Sequence, residues 1–211
     1  MNDEKRIAIL NRFKNRDTCS SNIDLFVRSN FELLISTVLS TRSRNNMVNT
    51  VTQNLYRLAD DSRKMLNLGY KRIKKYIKKI GLSNTKSRNI LKICRILIQK
   101  HNGEVPDSRE KLESLPGVGR KVSNVVLNVG FGIPTIAVDT HVFRVCNRIG
   151  FANFSDPFKL EKWLLQFIPE KFKKRFHYIF FLHGKVICTY NRPLCSCCFI
   201  VDLCEFRYKN I

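Results

Sequence analysis

Lys121 and Asp139 are the two residues whose types and positions point most directly to chemistry. Lys121 is the second residue of a predicted helix that begins just after a glycine turn, and Asp139 follows a short apolar run eighteen positions later. The positive end of the helix dipole and partial burial would both favour the uncharged amine. A neutral lysine amine can form a Schiff base with an electrophilic carbon. We therefore predict a lysine nucleophile that works with a carboxylate.

The glycine turn before Lys121 has the composition of an anion-binding hairpin. Its residues are Leu115, Pro116, Gly117, Val118, Gly119 and Arg120. The proline presets one backbone angle and the two glycines tolerate left-handed conformations, so backbone N–H groups can converge there. Convergent amides beside a helix N-terminus bind phosphate groups such as those of DNA. An ordinary turn between two helices is the alternative interpretation.

Asp139 also has a structural interpretation. In the sequence Val138-Asp139-Thr140-His141 it occupies the expected N-cap position of a helix that runs to Ile149. A carboxylate at that position accepts the free N–H groups of the first turn. One carboxylate can cap a helix and take part in catalysis.

Cysteines near the C-terminus form a second pattern. The spacing C-x6-C-x2-C-x5-C is made by Cys188, Cys195, Cys198 and Cys204. Four thiolates this close in sequence can hold either zinc or a [4Fe-4S] cluster, so the residue types leave both open. Cys197 adds a thiol beside Cys198. The remaining cysteines are expected to be small buried residues, and they are Cys19, Cys94 and Cys146.

The composition indicates a polyanionic partner. The 211 residues include 38 Lys and Arg against 17 Asp and Glu, which gives a formal net charge of +21 at pH 7. Basic side chains that neutralise phosphates release counterions, and this release drives binding to nucleic acid. No apolar run is long enough to span a membrane, and the N-terminus lacks the apolar core of a signal peptide. We expect a cytoplasmic protein, in which disulfides are rare.

Apolar residues recur with the helical period along most of the chain, which predicts an all-α fold. The second helix should be central, with the apolar positions Phe31, Leu34, Ile35, Val38 and Leu39. Asp107 and Glu110 resemble a capping box, and Asp156 with Pro157 resembles an N-cap followed by a proline in the first turn. Residues 133–138 are the one candidate for a strand.

The segments LPGVGRKVSNVVLN and PTIAVDTHVFRVCNR, followed by the cysteine pattern, resemble the endonuclease III family. Members of this family are helix-hairpin-helix DNA glycosylases and abasic-site lyases of base excision repair. The resemblance extends from about Arg6 to Arg207. It implies that Lys121 is the nucleophile and Asp139 the second catalytic group. Glu113 stands where the family has a glutamate near the pocket, which could assist proton transfer.

The resemblance also implies the architecture and a cofactor. The family has two helical lobes with the DNA in the cleft between them, here residues 23–132 with the hairpin and residues 1–22 plus 133–211. The cysteine spacing matches the family's [4Fe-4S] loop, with Cys198 rather than Cys197 as the ligand. The loop between the first two ligands contacts DNA in the family, and here Arg192 is its only charged residue. We expect a monomer that binds double-stranded DNA.

Leu82 matches the family leucine that enters the gap left by a flipped nucleotide, as apolar wedges do in proteins that bend DNA. The segment from Leu39 to Asn45 departs from the family pattern. Arg42 stands where the family usually has glutamine, and Asn45 where it has aspartate. The arginine could fill the same gap, whereas the exchange of aspartate removes a carboxylate from the pocket.

The family resemblance implies an enzyme that removes oxidised pyrimidines from duplex DNA and cleaves the abasic site by β-elimination. Two alternatives stay open. The first is an adenine-mismatch glycosylase, although that branch lacks the lysine after the hairpin. The second is a non-catalytic module that binds DNA through the hairpin and the metal loop.

Overall fold

The structure, a computed structural model, describes residues 1–16 and 23–211. These residues form ten α-helices and one 3-10 helix and contain no strand, so the all-α prediction is confirmed. The chain divides into two compact units, one of Met1–Asn22 and Pro134–Ile211 and the other of Ile23–Ile133. In the part of the chain that is described, no helix is both long and apolar enough to cross a membrane.

Ten α-helices contain most of the described residues. In chain order the helices are α1 (Asp3–Arg16), α2 (Asn30–Ser40), α3 (Asn45–Tyr56), α4 (Ser62–Tyr76), α5 (Ser83–His101), α6 (Arg109–Glu113), α7 (Arg120–Phe131), α8 (Thr140–Arg148), α9 (Pro157–Phe167) and α10 (Glu170–Val186). The 3-10 helix covers Cys195–Cys197.

The unit of residues 23–133 is built around α2. Every residue from Phe31 to Leu39 is buried, and α2 packs against α3, α5 and α7. Burial on all sides explains why this helix is apolar around most of its circumference. α4 packs along α5, and α6 packs on α7. This packing fixes the two ends of the hairpin and the first turn of α5.

The unit formed by the chain's two ends has an aromatic core. Phe176 and Phe180 of α10 stack with ring centroids 4.1 Å apart, and Phe13 of α1 stacks on Phe180 at 4.7 Å. Gly184 lets α8 and α10 approach closely, because a Cβ there would lie 3.0 Å from the Cβ of His141. α10 is absent from the helices that the sequence predicts.

Of the N-caps predicted near Asp107 and Asp156, the structure has one as predicted. Asp156 accepts hydrogen bonds from the backbone N–H groups of Phe158 and Lys159, with Pro157 in the first turn, as predicted. The predicted capping box is wrong. α6 begins at Arg109, and its N-cap is Ser108 rather than Asp107, so the predicted pair is one residue out of register.

Candidate functional site

The turn between α6 and α7 holds its two glycines in different conformations. Gly117 has a left-handed φ of 82°, and a Cβ on it would lie 2.7 Å from Asn89 Nδ2. Gly119 has an extended φ of −103°, which any residue can adopt, and nothing lies within 4 Å of where its Cβ would be. Both glycines tolerate a left-handed backbone, as the sequence predicts, but only Gly117 adopts one. The missing side chain of Gly119 leaves open space beside the backbone.

The apolar residues of this turn anchor it and leave its amides available. Leu115 and Val118 are buried, and the Val118 N–H donates to Leu115 O at 3.1 Å. Gly117 and Gly119 are exposed, and among the described residues their N–H groups donate no hydrogen bond. Unused amides beside a helix N-terminus form an anion-binding arrangement.

Lys121 lies in the first turn of α7, and its side chain is exposed. The expected partial burial of the amine is therefore wrong. The predicted effect of the α7 dipole on this amine stays a prediction, which rests on the place of Lys121 in the first turn of the helix. Across the hairpin, Glu113 accepts a hydrogen bond of 2.9 Å from the hydroxyl of Ser123, which also lies 2.9 Å from the Arg120 carbonyl oxygen.

Arg42 and Leu82 both adopt left-handed backbone conformations, with φ of 54° and 61°. For residues with a Cβ this conformation costs about 1–2 kcal/mol. Arg42 follows the C-terminus of α2, and Leu82 is the N-cap of α5. Both side chains are exposed, Leu82 by 59%. Asn45, the other departure from the family pattern, is half-buried at the first position of α3.

Lys86 is a residue of this region that sequence reasoning missed. Only 5% of its surface is exposed, although it is a lysine in a basic stretch. Its ammonium group donates to Leu39 O at 2.8 Å, to Thr41 O at 2.7 Å and to Ser43 Oγ at 3.0 Å. Burial lowers the pKa of Lys86.

Asp139 caps α8 as predicted. Its Oδ1 atom accepts hydrogen bonds from the backbone N–H groups of His141 and Val142, each at 2.9 Å. The residue is half-buried. The cap fixes the carboxylate at one end of α8, so its position depends on how that helix is held.

The four cysteines of the C-terminal pattern line one pocket, which is partly open to solvent. Cys198 lines this pocket, whereas the neighbouring Cys197 is exposed. Four soft donors around one pocket suit a thiolate-bound metal centre. Within residues 1–16 and 23–211, no three His, Cys, Asp or Glu side chains close on one point as they would around a single metal ion.

Burial raises the pKa of Cys188, Cys198 and Cys204, and at Cys188 a hydrogen bond from Arg148 opposes this rise. Burial therefore favours the protonated thiol at these three residues. His183 Nε2 lies 3.8 Å from Cys198 Sγ, and its buried Nδ1 has no hydrogen-bond partner in the described structure. Burial lowers the pKa of His183 to about 4, so the ring is neutral at pH 7.

Two arginines of α8 hold the cysteine loop. Arg144 donates to Cys188 O at 3.2 Å and to Gly184 O at 2.6 Å. Arg148 donates to the carbonyl oxygens of Thr189 and Tyr190 and lies 3.8 Å from Cys188 Sγ. The C-terminal half of α8 is thus bonded to the backbone of Cys188 and of the two residues after it.

The tip of this loop is exposed. Arg192 is exposed, and the Thr189 hydroxyl donates to its carbonyl oxygen at 2.6 Å. Tyr190 is 76% exposed, although its carbonyl oxygen is bonded to Arg148. A fixed backbone with free side chains is suited to contact with a partner.

The cysteines outside the pattern lie in the two cores where they are described. Cys94 and Cys146 are fully buried, and burial raises the pKa of Cys94 to about 12. This confirms the prediction that they are small buried residues. Cys19 lies outside the described residues.

Comparison with known proteins places these features in a family. The model of the HhH-GPD superfamily base excision DNA repair proteins matches residues 35–170. The chain is 49% identical over 209 residues to endonuclease III of Haemophilus influenzae and 48% identical over 209 residues to endonuclease III of Escherichia coli strain K12. Each alignment covers 99% of both chains.

A solved structure of a trapped endonuclease III–DNA covalent intermediate has a similar fold. It matches with a TM-score of 0.91 at 37% identity, over 97% of this chain and 96% of the other.

Proposed function

Since the chain belongs to the HhH-GPD superfamily of base excision DNA repair proteins, we propose that it removes oxidised pyrimidines from double-stranded DNA and then cuts the abasic site. It is a DNA glycosylase and abasic-site lyase of the endonuclease III type. The observation that carries the mechanism is the position of Lys121, in the first turn of α7 directly after an exposed hairpin with unused amides.

The hairpin and the two strained loops prepare the substrate. The amides of Gly117 and Gly119 hold a backbone phosphate, with Pro116 and Val118 shaping the turn and Arg120 beside it. An enzyme that acts on a base must first take it out of the stack, and a damaged base is the easiest to extrude. Leu82 and Arg42 enter the gap that the extruded nucleotide leaves.

Lys121 then acts as the nucleophile. Its amine nitrogen bonds to C1′ of the deoxyribose while the bond from C1′ to the base breaks, and the base leaves with the electron pair. Loss of the amine protons and opening of the sugar give an imine between enzyme and DNA. Removal of a proton from C2′ expels the 3′ phosphate, and water releases the enzyme.

Two carboxylates assist these steps. Asp139 stabilises the positive charge that develops on the sugar and accepts the proton of the attacking amine. Glu113 assists the later proton transfers. Ser123 holds Glu113 by a hydrogen bond of 2.9 Å, which supports this role.

We propose that Cys188, Cys195, Cys198 and Cys204 hold a [4Fe-4S] cluster. The shared pocket, the all-thiol donor set and the exposure of Cys197 support this assignment. When bound, the cluster would cross-link four thiolates and so fix the loop that Arg144 and Arg148 tie to α8. That loop presents Arg192 to the DNA. The protein acts as a monomer.

Borohydride trapping tests the mechanism. Duplex DNA with a thymine glycol or an abasic site is incubated with the protein and sodium borohydride, which reduces an imine to a stable adduct. Wild type and Lys92→Gln, a matched loss of one exposed lysine on α5, should form the covalent adduct. Lys121→Gln should form none.

The alternatives give different results. An adenine-mismatch glycosylase would release adenine without forming an adduct. A non-catalytic module would bind the duplex and leave both lesions intact. If Lys121→Gln still forms the adduct, the nucleophile is a residue other than Lys121.

A further inference from the structure

Arg42 and Leu82, two of the three described non-glycine residues with left-handed backbone conformations, lie on neighbouring loops. A Cβ added to Gly81 would lie 3.8 Å from the carbonyl oxygen of Arg42, so the two backbones are close. Backbone strain of this kind persists only where surrounding contacts hold it, and it concentrates at functional sites. The contacts that hold both loops should therefore be traceable to specific side chains.

The side chain of Lys86 makes such contacts with the loop that contains Arg42. Two of its three acceptors are the carbonyl oxygens of Leu39 and Thr41, and the third is the hydroxyl of Ser43. These residues stand on both sides of Arg42 in the chain. An ammonium group has three N–H donors, and the three acceptors use all of them. The backbone around Arg42 is fixed from inside the protein.

The main chain of Lys86 is bonded to the other loop by an ordinary helix hydrogen bond, which sets the position of the side chain relative to Leu82. The backbone N–H of Lys86 donates to the carbonyl oxygen of Leu82 at 2.9 Å, which closes the first turn of α5 directly after the strained residue. One residue is therefore bonded to the backbone on both sides of Arg42 and to Leu82 itself. Both loops depend on the place of α5 in the core.

The contact between Lys86 and the Arg42 loop is made by a buried charged group. Burying an ammonium group is costly unless it is hydrogen-bonded, and an apolar side chain of the same length would fill the space but leave the two carbonyl oxygens and the hydroxyl without this donor. The three N–H donors of the ammonium group orient two carbonyl oxygens and a hydroxyl at once. The lysine at this buried position therefore orients the backbone on both sides of Arg42.

We propose that Lys86 is a positioning residue that locks Arg42 and Leu82 into one rigid pair, so that both side chains enter the duplex together when the damaged nucleotide is extruded. This inference rests on the proposed function, because it assumes that these two side chains fill the gap. Lys86 does not touch the DNA or the reacting atoms in this role. It acts through the two residues that it holds.

Lys86→Met tests the proposal, since methionine keeps most of the length and removes the donors. The probe is a duplex with a tetrahydrofuran abasic analogue beside 2-aminopurine, whose fluorescence rises when it is unstacked. This analogue cannot form an imine, so the signal reports entry of the wedge and not the chemistry. We expect Lys86→Met to lose most of the fluorescence rise and to slow single-turnover excision of thymine glycol at least ~10-fold, as loss of an intercalating wedge should.

A mutant cycle separates positioning from mere support of the fold. In the Arg42→Ala/Leu82→Ala background, Lys86→Met should change the excision rate less than ~2-fold, because residues that act as one unit are not additive. An equal loss in both backgrounds would mean that Lys86 only supports the fold, and a full fluorescence rise in Lys86→Met would also overturn the proposal.

Tyr56→Phe is the matched control. Its hydroxyl is buried in the same unit and bonds to Ser36 Oγ at 2.6 Å and to Glu32 O at 3.0 Å, away from both loops. It should lower the melting temperature and keep the fluorescence rise. Loss of the signal in this variant as well would attribute the effect to general destabilisation.

Ser43→Ala decides the question if Lys86→Met does not fold. It removes one acceptor of three and should give a partial loss of fluorescence in the wild-type background and none in the double-mutant background. An unchanged signal would count against the proposal. Wild-type borohydride trapping is run in parallel, because its failure would reject the proposed function, whereas intact trapping with an unaffected Lys86→Met would reject this inference alone.

Discussion

The hydroxyl of Ser123 donates a hydrogen bond of 2.9 Å to Glu113, and this bond joins the two helices of the hairpin. Ser123 is fully buried in α7, two residues after Lys121, and Glu113 is the last residue of α6. The bond therefore fixes a carboxylate close in the chain to the proposed nucleophile and also closes the hairpin. These two roles can be separated by substitution.

Ser123→Ala should lower stability, and Glu113→Gln should lower catalysis. Loss of the hydroxyl leaves Glu113 without this donor, which costs about 1 kcal/mol and lowers the melting temperature by about 2–4 °C. The amide oxygen of the introduced glutamine can still accept from Ser123, so Glu113→Gln should melt near wild type. Its strand-cleavage rate should fall by about 10-fold if the carboxylate moves protons. Thermal melts and single-turnover kinetics measure both, and equal rates for Glu113→Gln and wild type would assign Glu113 a purely structural role.

Asp139 also has two roles that substitution can separate. Its Oδ1 atom caps α8 through two N–H donors, and an asparagine oxygen can accept the same bonds. Asp139→Asn should therefore melt within about 1 °C of wild type, whereas Asp139→Ala should lose about 1 kcal/mol with the cap. Both should slow base excision by at least about 100-fold, because both remove the charge. Rapid excision by Asp139→Asn would leave Asp139 as a cap only.

The features that the sequence predicts best are those whose defining residues are close together in the chain. The glycine turn, the N-caps at Asp139 and Asp156 and the spacing of the four cysteines each lie within a short segment. Local rules of turns, caps and metal ligands apply there without knowledge of the fold. The missed helix α10 could have been found in the same way, since Phe172, Phe176 and Phe180 recur every four residues.

Lys86 could not be found in this way. Its nearest sequence neighbours are polar and basic, so it resembles a residue of a solvated helix face. Its acceptor at Leu39 is 47 residues away, and the contact exists only because α2 packs on α5. The conformation of Gly119 is a similar case, because the residue type permits a left-handed φ but does not require it. Both features are set by tertiary structure.

The pair Cys197 and Cys198 offers a direct test of the metal site. Cys198 lines the pocket and Cys197 is exposed. Cys197→Ser should keep the broad absorption near ~400 nm that thiolate-bound iron–sulfur clusters give. Cys198→Ser should lose most of it, together with iron and sulfide measured chemically, and should melt several degrees lower. A colourless wild-type protein that contains zinc would contradict the cluster assignment.

Arg192 and Tyr190 at the loop tip should differ in how salt affects them. A side chain that neutralises one phosphate contributes about 0.9 to the slope of log K against log salt. Arg192→Ala should therefore reduce that slope by about 1, measured by fluorescence anisotropy on a duplex with the tetrahydrofuran analogue. Tyr190→Ala, which removes an uncharged exposed side chain, should leave the slope unchanged. If Arg192→Ala leaves the slope of log K against log salt unaltered, Arg192 does not contact a phosphate.

Gly117 and Gly119 should respond differently to the same added methyl group. At Gly117 the methyl would strain a left-handed backbone and lie 2.7 Å from Asn89 Nδ2, so Gly117→Ala should lower the melting temperature. At Gly119 the backbone is extended and the space is open, so Gly119→Ala should melt at or slightly above the wild-type temperature.

For DNA binding, by contrast, Gly119→Ala should have an effect that does not come from a loss of stability. The methyl of Gly119→Ala would occupy the open space beside the unused amides, where the proposed phosphate lies, and should weaken binding to an abasic-site duplex by about 10-fold in a fully folded protein. Melting curves and anisotropy titrations on the same samples make the comparison. Wild-type affinity in Gly119→Ala would mean that no phosphate approaches this side of the hairpin, because a group in hydrogen-bond contact with the two amides leaves no room for a methyl between them.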